Sequence, residues 1–475
     1  MKIKIYIRVD GSAKIGLGHI VRCIALAQML KNDFLIHFFC MEIPDALSQE
    51  ITRLNFGFSK ILSEDVFFDI LTGEETVVLD NYFFDTNYQK KIKSKNCKLV
   101  CIDDVHDKEF VADLIINHAP GVSPHDYKAQ PYTQFALGLD YVLLRPLFLQ
   151  QAKTTQTHLN NDTALICFGG ADPKNLTQKA LEIIINASMF KRVLVITGLA
   201  YKFEASLQIL INAHTGIEHY KAVNDSEMLA LMLQANLAIV PASGILFETM
   251  VTGCTIISGY YIDNQKTLFE KLKHTGAFIS AENFGEEDIE RAIVEYSKSK
   301  KTPAKLIDGQ SGKNVLKSFY YILVSLRRAA FDDCELIFNW ANEDTVRLNA
   351  FNSNPIAFDD HKTWFTKKLN DDNCYMYILS LGGIDVGQVR FDVENQEATI
   401  SYLIDKHYRG LGLGSLIIKK GIDIIRNENK VRNLKALVKP LNKASVKIFR
   451  GLNFQEKIED YHDHGGVYHF SKTIV

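Results

Sequence analysis

The stretch that most constrains the fold is a glycine-containing turn, I-G-L-G-H-I-V-R-C, at residues 15–23. Apolar and polar residues alternate over residues 3–9, and this period of two predicts a strand that leads into the turn. From His19 onward, apolar residues recur every three or four positions, which predicts a helix. Gly16 and Gly18 therefore lie at a strand-to-helix turn, with His19 in the first helical turn.

This turn has two chemical consequences. The first N–H groups of a helix lack partners, and glycine lets a ligand come close, so Gly16 and Gly18 favour a bound phosphate. The helix dipole disfavours a positive charge at that end, so we expect His19 to be neutral and able to accept a proton. Arg22 adds a cation on the same helical face. The alternative is a turn that merely packs a helix on a sheet.

Length, composition and charge limit the function classes. A chain of 475 residues holds two or three domains, and 47% hydrophobic and 23% charged residues are ordinary values for a globular protein. The net charge of −2 predicts neither a nucleic-acid nor a membrane partner. The eight cysteines form no C-x-x-C pair and no metal-ligand spacing with histidine, so we expect reduced thiols, no metal and a cytoplasmic location.

Strand-like and helix-like segments alternate along the first third of the chain, which predicts an α/β fold with a mostly parallel sheet. Three short apolar strands are each followed by polar residues: Asp80-Asn81-Tyr82, Asp103-Asp104 and Asn117-His118. In open α/β sheets, ligands bind at the carboxyl ends of the strands. An aspartate at such a position can instead cap the next helix, and we adopt that interpretation for Asp103.

The same alternation restarts after a polar, threonine-rich segment, residues 150–162, which suits a linker. The first strand of this second part runs into Gly170. The two parts share an architecture without a detectable sequence repeat. We therefore predict two Rossmann-like domains, residues 1–152 and 162–316, that face each other across a cleft.

The second part carries its own ligand signal. Ser243 and Gly244 follow a strand and open a helix that contains Glu248 and Thr249. Free amides at this helix start again favour a phosphate, and Glu248 could accept hydrogen bonds from a ribose diol. The alternative is a capping box, but the spacing between Ser243 and Glu248 is too long for one. The G-x-x-x-E arrangement of Gly244 and Glu248 resembles the nucleotide-sugar site of MurG-like enzymes, which implies that this part binds UDP.

The pattern changes after residue 300. Residues 375–379, 385–391 and 399–404 read as successive strands of an antiparallel sheet, which predicts an α+β domain over residues 322–475. The last strand leads into a turn, R-G-L-G-L-G at residues 409–414, and then into a helix. Amides at this turn could hold a pyrophosphate.

Residues 8–23, R-V-D-G-S-A-K-I-G-L-G-H-I-V-R-C, resemble the N-terminal signature of the UDP-sugar hydrolases of pseudaminic acid biosynthesis. That family is similar in fold to the MurG-type glycosyltransferases, a GT-B-like arrangement. The resemblance implies that His19 activates water, that Tyr82 lies near the sugar and that an Asn-Gln pair lines the cleft. The candidate substrate- and UDP-binding residues are Gly16, Gly18, Arg22, Gly170, Ser243, Gly244, Glu248, Thr249, Asn264 and Gln265.

The R-x-x-G-x-G turn, together with residues 339–369, resembles the sugar-nucleotide branch of the GNAT acetyltransferase superfamily. The resemblance implies acetyl-CoA as co-substrate. The candidate acetyl-CoA-binding residues are Leu403, Ile404, Arg409, Gly410, Gly412, Gly414, Asn442 and Ser445. Phe449 departs from the superfamily pattern, because many members have a tyrosine acid at that position, and no general acid is assigned.

The two resemblances imply a bifunctional nucleotide-sugar enzyme. One half would release UDP from UDP-2,4-diacetamido-2,4,6-trideoxy-beta-L-altropyranose, and the other would first acetylate the 4-amino group of its precursor. The alternative is a GT-B-like glycosyltransferase whose GNAT domain is non-catalytic or serves in docking. A glycosyltransferase would bring a sugar acceptor in place of water, so UDP release without an acceptor distinguishes the two.

Overall fold

The computed structural model divides into two compact units, Met1–Ser318 and Phe319–Val475, called here the first and second units. The residues that it describes are 2–12, 15–154, 162–298, 304–427, 431–460 and 466–474. The linker predicted over residues 150–162 falls largely on residues 155–161, outside the described ranges. The division of the first unit into two domains stays a prediction.

The first sheet of the first unit is parallel throughout, with the strand order β3-β2-β1-β4-β5-β7-β9, and β6 and β8 form a separate small pair. The strands are β1 (Lys4–Val9), β2 (Leu35–Cys40), β3 (Gly57–Lys60), β4 (Thr76–Asp80), β5 (Lys98–Ile102), β6 (Glu109–Phe110), β7 (Leu114–Asn117), β8 (Lys128–Ala129) and β9 (Gln134–Leu137). The helices are α1 (Gly18–Leu30), α2 (Asp45–Arg53), α3 (Glu64–Asp69), α4 (Thr86–Ser94) and α5 (Pro146–Gln151).

The second sheet is also parallel, with the order β12-β11-β10-β13-β14-β15. Its strands are β10 (Thr163–Cys167), β11 (Arg192–Thr197), β12 (Ile217–Lys221), β13 (Leu237–Pro241), β14 (Thr255–Gly259) and β15 (Ile279–Ser280). The helices are α6 (Leu176–Ala187), α7 (Glu204–Asn212), α8 (Asp225–Met232), α9 (Gly244–Met250), α10 (Asp263–Leu272), α11 (Glu286–Lys298) and α12 (Ser311–Leu323).

Central strands of both sheets are buried on two faces, which explains their unbroken apolar runs. In β10, Leu165 and Cys167 belong to one hydrophobic cluster, whereas Ala164 and Ile166 belong to another on the opposite face. This alternation follows from the period of two along a strand. The α/β class predicted for the first unit is confirmed.

The second unit contains a seven-stranded sheet with the order β16-β17-β18-β19-β20-β22-β21. Its strands are β16 (Val324–Arg328), β17 (Cys374–Leu381), β18 (Ile384–Glu394), β19 (Glu397–Ile404), β20 (Asn433–Val438), β21 (Gln455–Asp460) and β22 (Gly466–Thr473). The helices are α13 (Cys334–Ala341), α14 (Asp344–Asn349), α15 (Phe358–Leu369), α16 (Leu413–Asn427) and α17 (Lys443–Gly451).

The centre of this sheet is splayed. All strand pairs are antiparallel except β19 and β20, which run parallel and pair only from Glu397 to Thr399. β19 continues to Ile404 without a hydrogen-bonded neighbour on that side. The three predicted strands and the α+β class are confirmed, and within the described ranges no helix is long and apolar enough to cross a bilayer.

Candidate functional site

The candidate residues of the first unit gather where the strand order of each sheet reverses. In the first sheet, β1 lies between β2 and β4, and in the second sheet β10 lies between β11 and β13. Strands on either side of such a point leave a crevice at their carboxyl ends, where open α/β sheets bind ligands. The turn before His19 follows β1, Asp80 ends β4, Gly170 follows β10 and Ser243 follows β13.

His19 and Asp80 form the best-defined contact of the site. Nδ1 of His19 lies 2.7 Å from Oδ1 of Asp80, which is wholly buried. Burial would raise the pKa of Asp80, but Arg22 and His19 lower it to about 2. An ionised carboxylate only accepts hydrogen bonds, so Nδ1 carries a proton, and in the neutral tautomer of the ring the lone pair lies on Nε2. Among the described residues, nothing hydrogen-bonds to Nε2, which leaves it available as a base.

Arg22 is held by two carboxylates. Its Nε and Nη2 atoms each donate to Asp80 at 2.6 Å, and Nη1 donates to Oδ2 of Asp104 at 2.9 Å. Nη2 also lies 3.1 Å from Nδ1 of His19, but both groups are donors, so this contact is not a hydrogen bond. Burial would lower the pKa of Arg22, and the two carboxylates raise it well above its ordinary value. The guanidinium therefore bridges the two carboxylates, and its contact with the substrate stays a prediction.

Tyr82 connects this network to the second sheet. Its ring meets the His19 imidazole edge-on, with 4.8 Å between centroids, and its hydroxyl donates to Oδ2 of Asp104 at 3.3 Å. Burial and Asp104 raise the pKa of Tyr82 to about 12, and a hydrogen bond with Asn264 partly opposes this. Tyr82 and Asn264, predicted from distant parts of the chain, therefore lie together.

The two glycine turns also face each other. Gly16 has a φ of +90°, which favours glycine, and the amides of Leu17, Gly18 and His19 donate to no described residue. A Cβ on Gly170 would lie 3.5 Å from Cδ1 of Leu17. The structure thus brings the predicted anion-binding turn after β1 next to the glycine turn after β10.

Glu248 is already engaged by an arginine. Nε and Nη2 of Arg145 both donate to Oε1 of Glu248, at 3.1 and 2.6 Å, and Nη1 pairs with Asp225. Burial raises the pKa of Glu248, and Arg145 partly offsets this effect. In the described part of the chain, Oε2 accepts no hydrogen bond. A ribose diol would therefore meet one unoccupied carboxylate oxygen.

The other candidates of the second sheet differ in whether their polar groups already have hydrogen-bond partners within the protein. Ser243 precedes α9 and its side chain makes no capping hydrogen bond, and no described residue accepts from the amide of Gly244. Thr249 is wholly buried and its hydroxyl donates to the carbonyl of Ile245, so that hydroxyl is engaged within its own helix. Gln265 is buried and its Oε1 accepts from the amide of Tyr261.

Several residues of the network lie outside the sequence-based set. These are Asp80, Asn81, Asp104, His118 and Arg145. The first four follow strand ends that the sequence had marked, so their position was visible although their contacts were not. The helix cap predicted for Asp103 is wrong, because no helix follows it, and Oδ2 of Asp103 accepts from the amide of His106 in a turn.

The glycine turn of the second unit has the geometry of an anion cradle. Gly410 and Gly412 both have a φ of +83°, and the amides of residues 409–414 donate to no described backbone acceptor. Nε of Arg409 donates to the carbonyl of Ile404 at 3.0 Å, and the guanidinium also pairs with Glu343. Arg409 therefore anchors the turn to the end of β19.

Gly414 and Ser445 serve in packing and capping. A Cβ on Gly414 would lie 2.7 Å from Cδ1 of Ile448, so glycine lets α16 approach α17 closely. Asn442 caps α17 by accepting from the amide of Ser445 at 3.1 Å. The Ser445 hydroxyl lies 2.8 Å from Oη of Tyr402, and burial raises the pKa of that phenol.

Leu403, Ile404 and Tyr402 share the part of β19 that lies beyond its pairing with β20. Phe449 is buried, and its ring lies against those of Phe454 and Phe470. It therefore belongs to the core of the second unit. In the part of the chain that the structure describes, no group of three or more histidine, cysteine, aspartate or glutamate side chains could hold a metal ion.

Comparison with known proteins agrees with this division. Residues 324–455 match the family model of the acetyltransferase (GNAT) domain. An uncharacterized protein of Methanocaldococcus jannaschii is 24% identical over 96% of this chain and 97% of its own length. The similarity to that relative thus extends over nearly the whole of both chains.

Two further relatives match part of this chain. The UDP-2,4-diacetamido-2,4,6-trideoxy-beta-L-altropyranose hydrolase of Campylobacter jejuni is 25% identical over 56% of this chain and 94% of its own length. The spore coat polysaccharide biosynthesis protein SpsG of Bacillus subtilis is 29% identical over 52% of this chain and 75% of its own length. The chain thus joins a region related to this UDP-sugar hydrolase to a C-terminal domain of the GNAT acetyltransferase family.

Proposed function

We propose that the chain is a bifunctional enzyme of nucleotide-sugar metabolism. The first unit hydrolyses UDP-2,4-diacetamido-2,4,6-trideoxy-beta-L-altropyranose, and the second transfers acetyl from acetyl-CoA to the 4-amino group of its precursor, as in pseudaminic acid biosynthesis. The observation that carries the first activity is the buried His19–Asp80 pair, with Nε2 unoccupied, at the strand-order reversal. The relatives support the substrate class.

Hydrolysis at the anomeric carbon would use His19 as general base. The oxygen of a water molecule attacks C1 while the bond from C1 to the diphosphate oxygen breaks, and UDP leaves with the bonding electrons. Nε2 of His19 takes the proton from the water and then releases it to solvent. Asp80 stabilises the imidazolium, because its carboxylate is ionised and already accepts from Nδ1.

The leaving diphosphate needs donors rather than a base. The amides of Leu17, Gly18 and His19 have no described acceptor, and they start a 13-residue helix whose dipole favours an anion. The glycine turn at Gly170 and the helix start at Gly244 supply the same kind of group from the second sheet. We assign the uridine ribose to the unoccupied oxygen of Glu248.

Acetyl transfer in the second unit would rely on backbone amides and one phenol. The amides at residues 409–414 bind the pyrophosphate of acetyl-CoA, and the unpaired half of β19 pairs with its pantetheine arm. The neutral amine attacks the acetyl carbonyl, the carbon–sulfur bond breaks and the amine proton leaves to water. Since Phe449 cannot protonate the departing thiolate, we assign that proton to Oη of Tyr402.

In this sequence of reactions, acetylation precedes hydrolysis, and the product of one half is the substrate of the other. A cytoplasmic location fits the need for acetyl-CoA and the unpaired state of all eight cysteines. A specific observation favours one variant of the proposal: with Phe449 in the core, the GNAT domain could dock the substrate of a GT-B-like glycosyltransferase without transferring acetyl.

The deciding experiment uses the purified chain and the UDP-linked 4-amino precursor, with and without acetyl-CoA, in water enriched in ¹⁸O. We expect UDP and free diacetamido sugar only when acetyl-CoA is present, with the label in the sugar. Label in UDP would contradict attack at C1. An acetylated but intact nucleotide sugar would contradict hydrolysis and favour the glycosyltransferase, and UDP release without acetyl-CoA would contradict the order of the two reactions.

A further inference from the structure

Three buried polar atoms next to the His19 network lack hydrogen-bond partners among the described residues. They are Nδ2 of Asn81, Oδ1 of Asp104 and Nδ1 of His118. An unsatisfied buried donor or acceptor costs free energy, so a fold does not keep three of them at one place without a reason. Such atoms at a strand-end crevice are typical of a site that is completed by its ligand.

Strand register places the three residues side by side. Leu79 pairs with Cys101, and Ile102 pairs with Ile116. Asp104 is two residues beyond Ile102, and His118 is two residues beyond Ile116. The two side chains therefore follow neighbouring strands, β5 and β7, at the same height along the sheet. Asn81 follows Asp80 at the end of β4, on the other side of β5. All three therefore border the crevice that contains His19.

Their chemistry defines what they can bind. The Asn81 amide nitrogen only donates, and Oδ1 of Asp104 accepts while Oδ2 is occupied by Arg22 and Tyr82. Burial and Arg22 lower the pKa of His118 to about 4, so its ring is neutral and Nδ1 can accept or donate. The His118 ring lies 4.9 Å from that of Phe247, which adds an apolar wall.

We propose that Asn81, Asp104 and His118 form a subsite for an acetamido group of the sugar, an inference that rests on the proposed hydrolysis. The acetamido carbonyl accepts from Asn81, and its N–H donates to Oδ1 of Asp104. The methyl group packs against the rings of His118 and Phe247. Nδ1 of His118 bonds the sugar 3-hydroxyl, because positions 2, 4 and 6 of this sugar have none.

The subsite distinguishes an acetamido group from a free amine. A protonated amine has three donors and no acceptor, so it would leave the Asn81 donor unpaired. It would also add a positive charge close to Arg22. If the acetamido group at C4 occupies the subsite, hydrolysis waits for acetylation; if the one at C2 does, both sugars bind alike. The two cases are separated by comparing the 4-acetamido substrate with its 4-amino precursor.

The test compares Asn81→Leu and His118→Phe with the control Thr76→Val. Leucine has nearly the shape of asparagine, and phenylalanine keeps the ring that faces Phe247. Oγ1 of Thr76 is also buried without a described partner, but Thr76 begins β4, away from the strand ends. UDP release is measured on the 4-acetamido substrate without acetyl-CoA, and binding of the 4-amino precursor is measured as its inhibition of that release. The melting temperature of each variant is measured in parallel.

We expect Asn81→Leu to lower kcat/KM for the 4-acetamido substrate by about 10- to 100-fold and His118→Phe by about 10-fold. Neither variant should melt at a lower temperature, because each removes an unpaired buried polar atom. Thr76→Val should keep wild-type kinetics. If the variants bind the 4-amino precursor as tightly as the wild-type chain does, the subsite is assigned to C4. If they bind the precursor more weakly, in proportion to their loss on the 4-acetamido substrate, it is assigned to C2.

Unchanged kinetics in both site variants would overturn the subsite, because water alone would then fill it. If the wild-type chain releases no UDP, the proposed hydrolysis fails, and the subsite is tested by binding instead. Saturation-transfer NMR of the free diacetamido sugar should then show transfer from the wild-type protein to the acetyl methyl protons of the sugar. The transfer to these protons should be weaker with Asn81→Leu. Equal signals for both proteins would overturn the subsite independently of catalysis.

Discussion

The two units prepare proton transfer in different ways. In the first unit, Arg22 is paired with the carboxylates of Asp80 and Asp104, and Asp80 also accepts from His19, with separations of 2.6 to 2.9 Å. In the second unit, a neutral phenol, Tyr402, touches a neutral serine beside a splayed strand. The buried carboxylate of Asp80 fixes the tautomer of His19 and so decides which ring nitrogen can accept a proton. Between Tyr402 and Ser445, which are both neutral, either hydroxyl can be the donor. The proposed function accordingly uses the first site as a base and the second as a donor.

The largest effect should come from removing the base. In His19→Asn, the side-chain amide can still donate towards Asp80, but no atom takes a proton from water. We expect UDP release to fall by about 100- to 10,000-fold, with acetyl transfer by the second unit unchanged. Both are measured on one sample, as released UDP and released CoA. If both activities fell together, the two sites would not be the independent centres that we compare.

Removing the carboxylate should affect both rate and stability. Asp80→Asn leaves Arg22 buried beside a neutral amide, which destabilises by about 3–5 kcal/mol when one partner of a buried pair is lost. We expect UDP release to fall by about 100-fold, because the tautomer of His19 is no longer enforced. Thermal melting and kcat on the same preparation separate the two effects. A stable variant with a wild-type rate would show that the charged network does not prepare His19.

The same residue sets an acid dependence. The pKa of Asp80 is lowered from 3.8 to about 2 in the folded chain, so its carboxylate stabilises the fold above about pH 4. This contribution is lost as the pH falls towards 2. Unfolding of the wild-type chain between pH 5 and 2, followed by circular dichroism, should therefore be steeper than that of Asp80→Asn. If the acid unfolding curves of the wild-type chain and Asp80→Asn were parallel, groups other than Asp80 would cause the acid sensitivity.

A smaller effect is expected at the neutral pair. Tyr402→Phe keeps the packing against α16 and α17 and removes only the hydroxyl. We expect acetyl transfer to fall by about 10- to 100-fold, with the KM for acetyl-CoA unchanged, because a donor to the thiolate acts on kcat. Ser445→Ala, which keeps the phenol, should lose less. Equal losses in both variants would indicate a structural role for the pair.

The smallest effects separate two glycines of one turn. A Cβ on Gly18 meets no atom within 4 Å, and Gly18 has an ordinary φ, so Gly18→Ala should fold normally and raise the KM for the UDP-sugar a few-fold. Gly16 has equal space but a φ of +90°, so Gly16→Ala should lose about 1 kcal/mol of stability. Chemical denaturation and initial rates check both. If Gly18→Ala lost stability, glycine at position 18 would be required for folding and not for access of the substrate.

The sequence predicted the architecture better than the contacts. Periodicity is local, so it correctly indicated parallel sheets in the first unit and an antiparallel sheet in the second. The sequence and its resemblance predict the His19 turn, Tyr82 and Asn264 as site residues, and the structure brings these together, but the pairing of Arg22 with two carboxylates was not predicted. That pairing depends on residues 58 and 82 positions away, which meet only because β4 lies beside β1, and β5 beside β4, in the sheet order.

Arg145 shows the same limit. Its sequence context suggested no partner, whereas the fold turns its guanidinium towards Asp225 and Glu248 of the second sheet's helices. Side-chain pairs of long sequence separation carry no local pattern, so single-sequence reasoning cannot name them. Asp80, Asn81, Asp104 and His118, unlike Arg145, were marked by their positions at the ends of strands, and a search for further site residues can use that signal.

Seven buried cysteines give the chain its own reporter of unfolding, whereas Cys334 is only partly buried. All eight are unpaired, and burial raises the pKa of the Cys23, Cys167 and Cys374 thiols, which makes them poor nucleophiles in the folded state. The first unit contains Cys23, Cys40, Cys97, Cys101, Cys167 and Cys254, and the second contains Cys334 and Cys374. Alkylation followed by peptide mapping would therefore record which unit opens first, without any label being introduced.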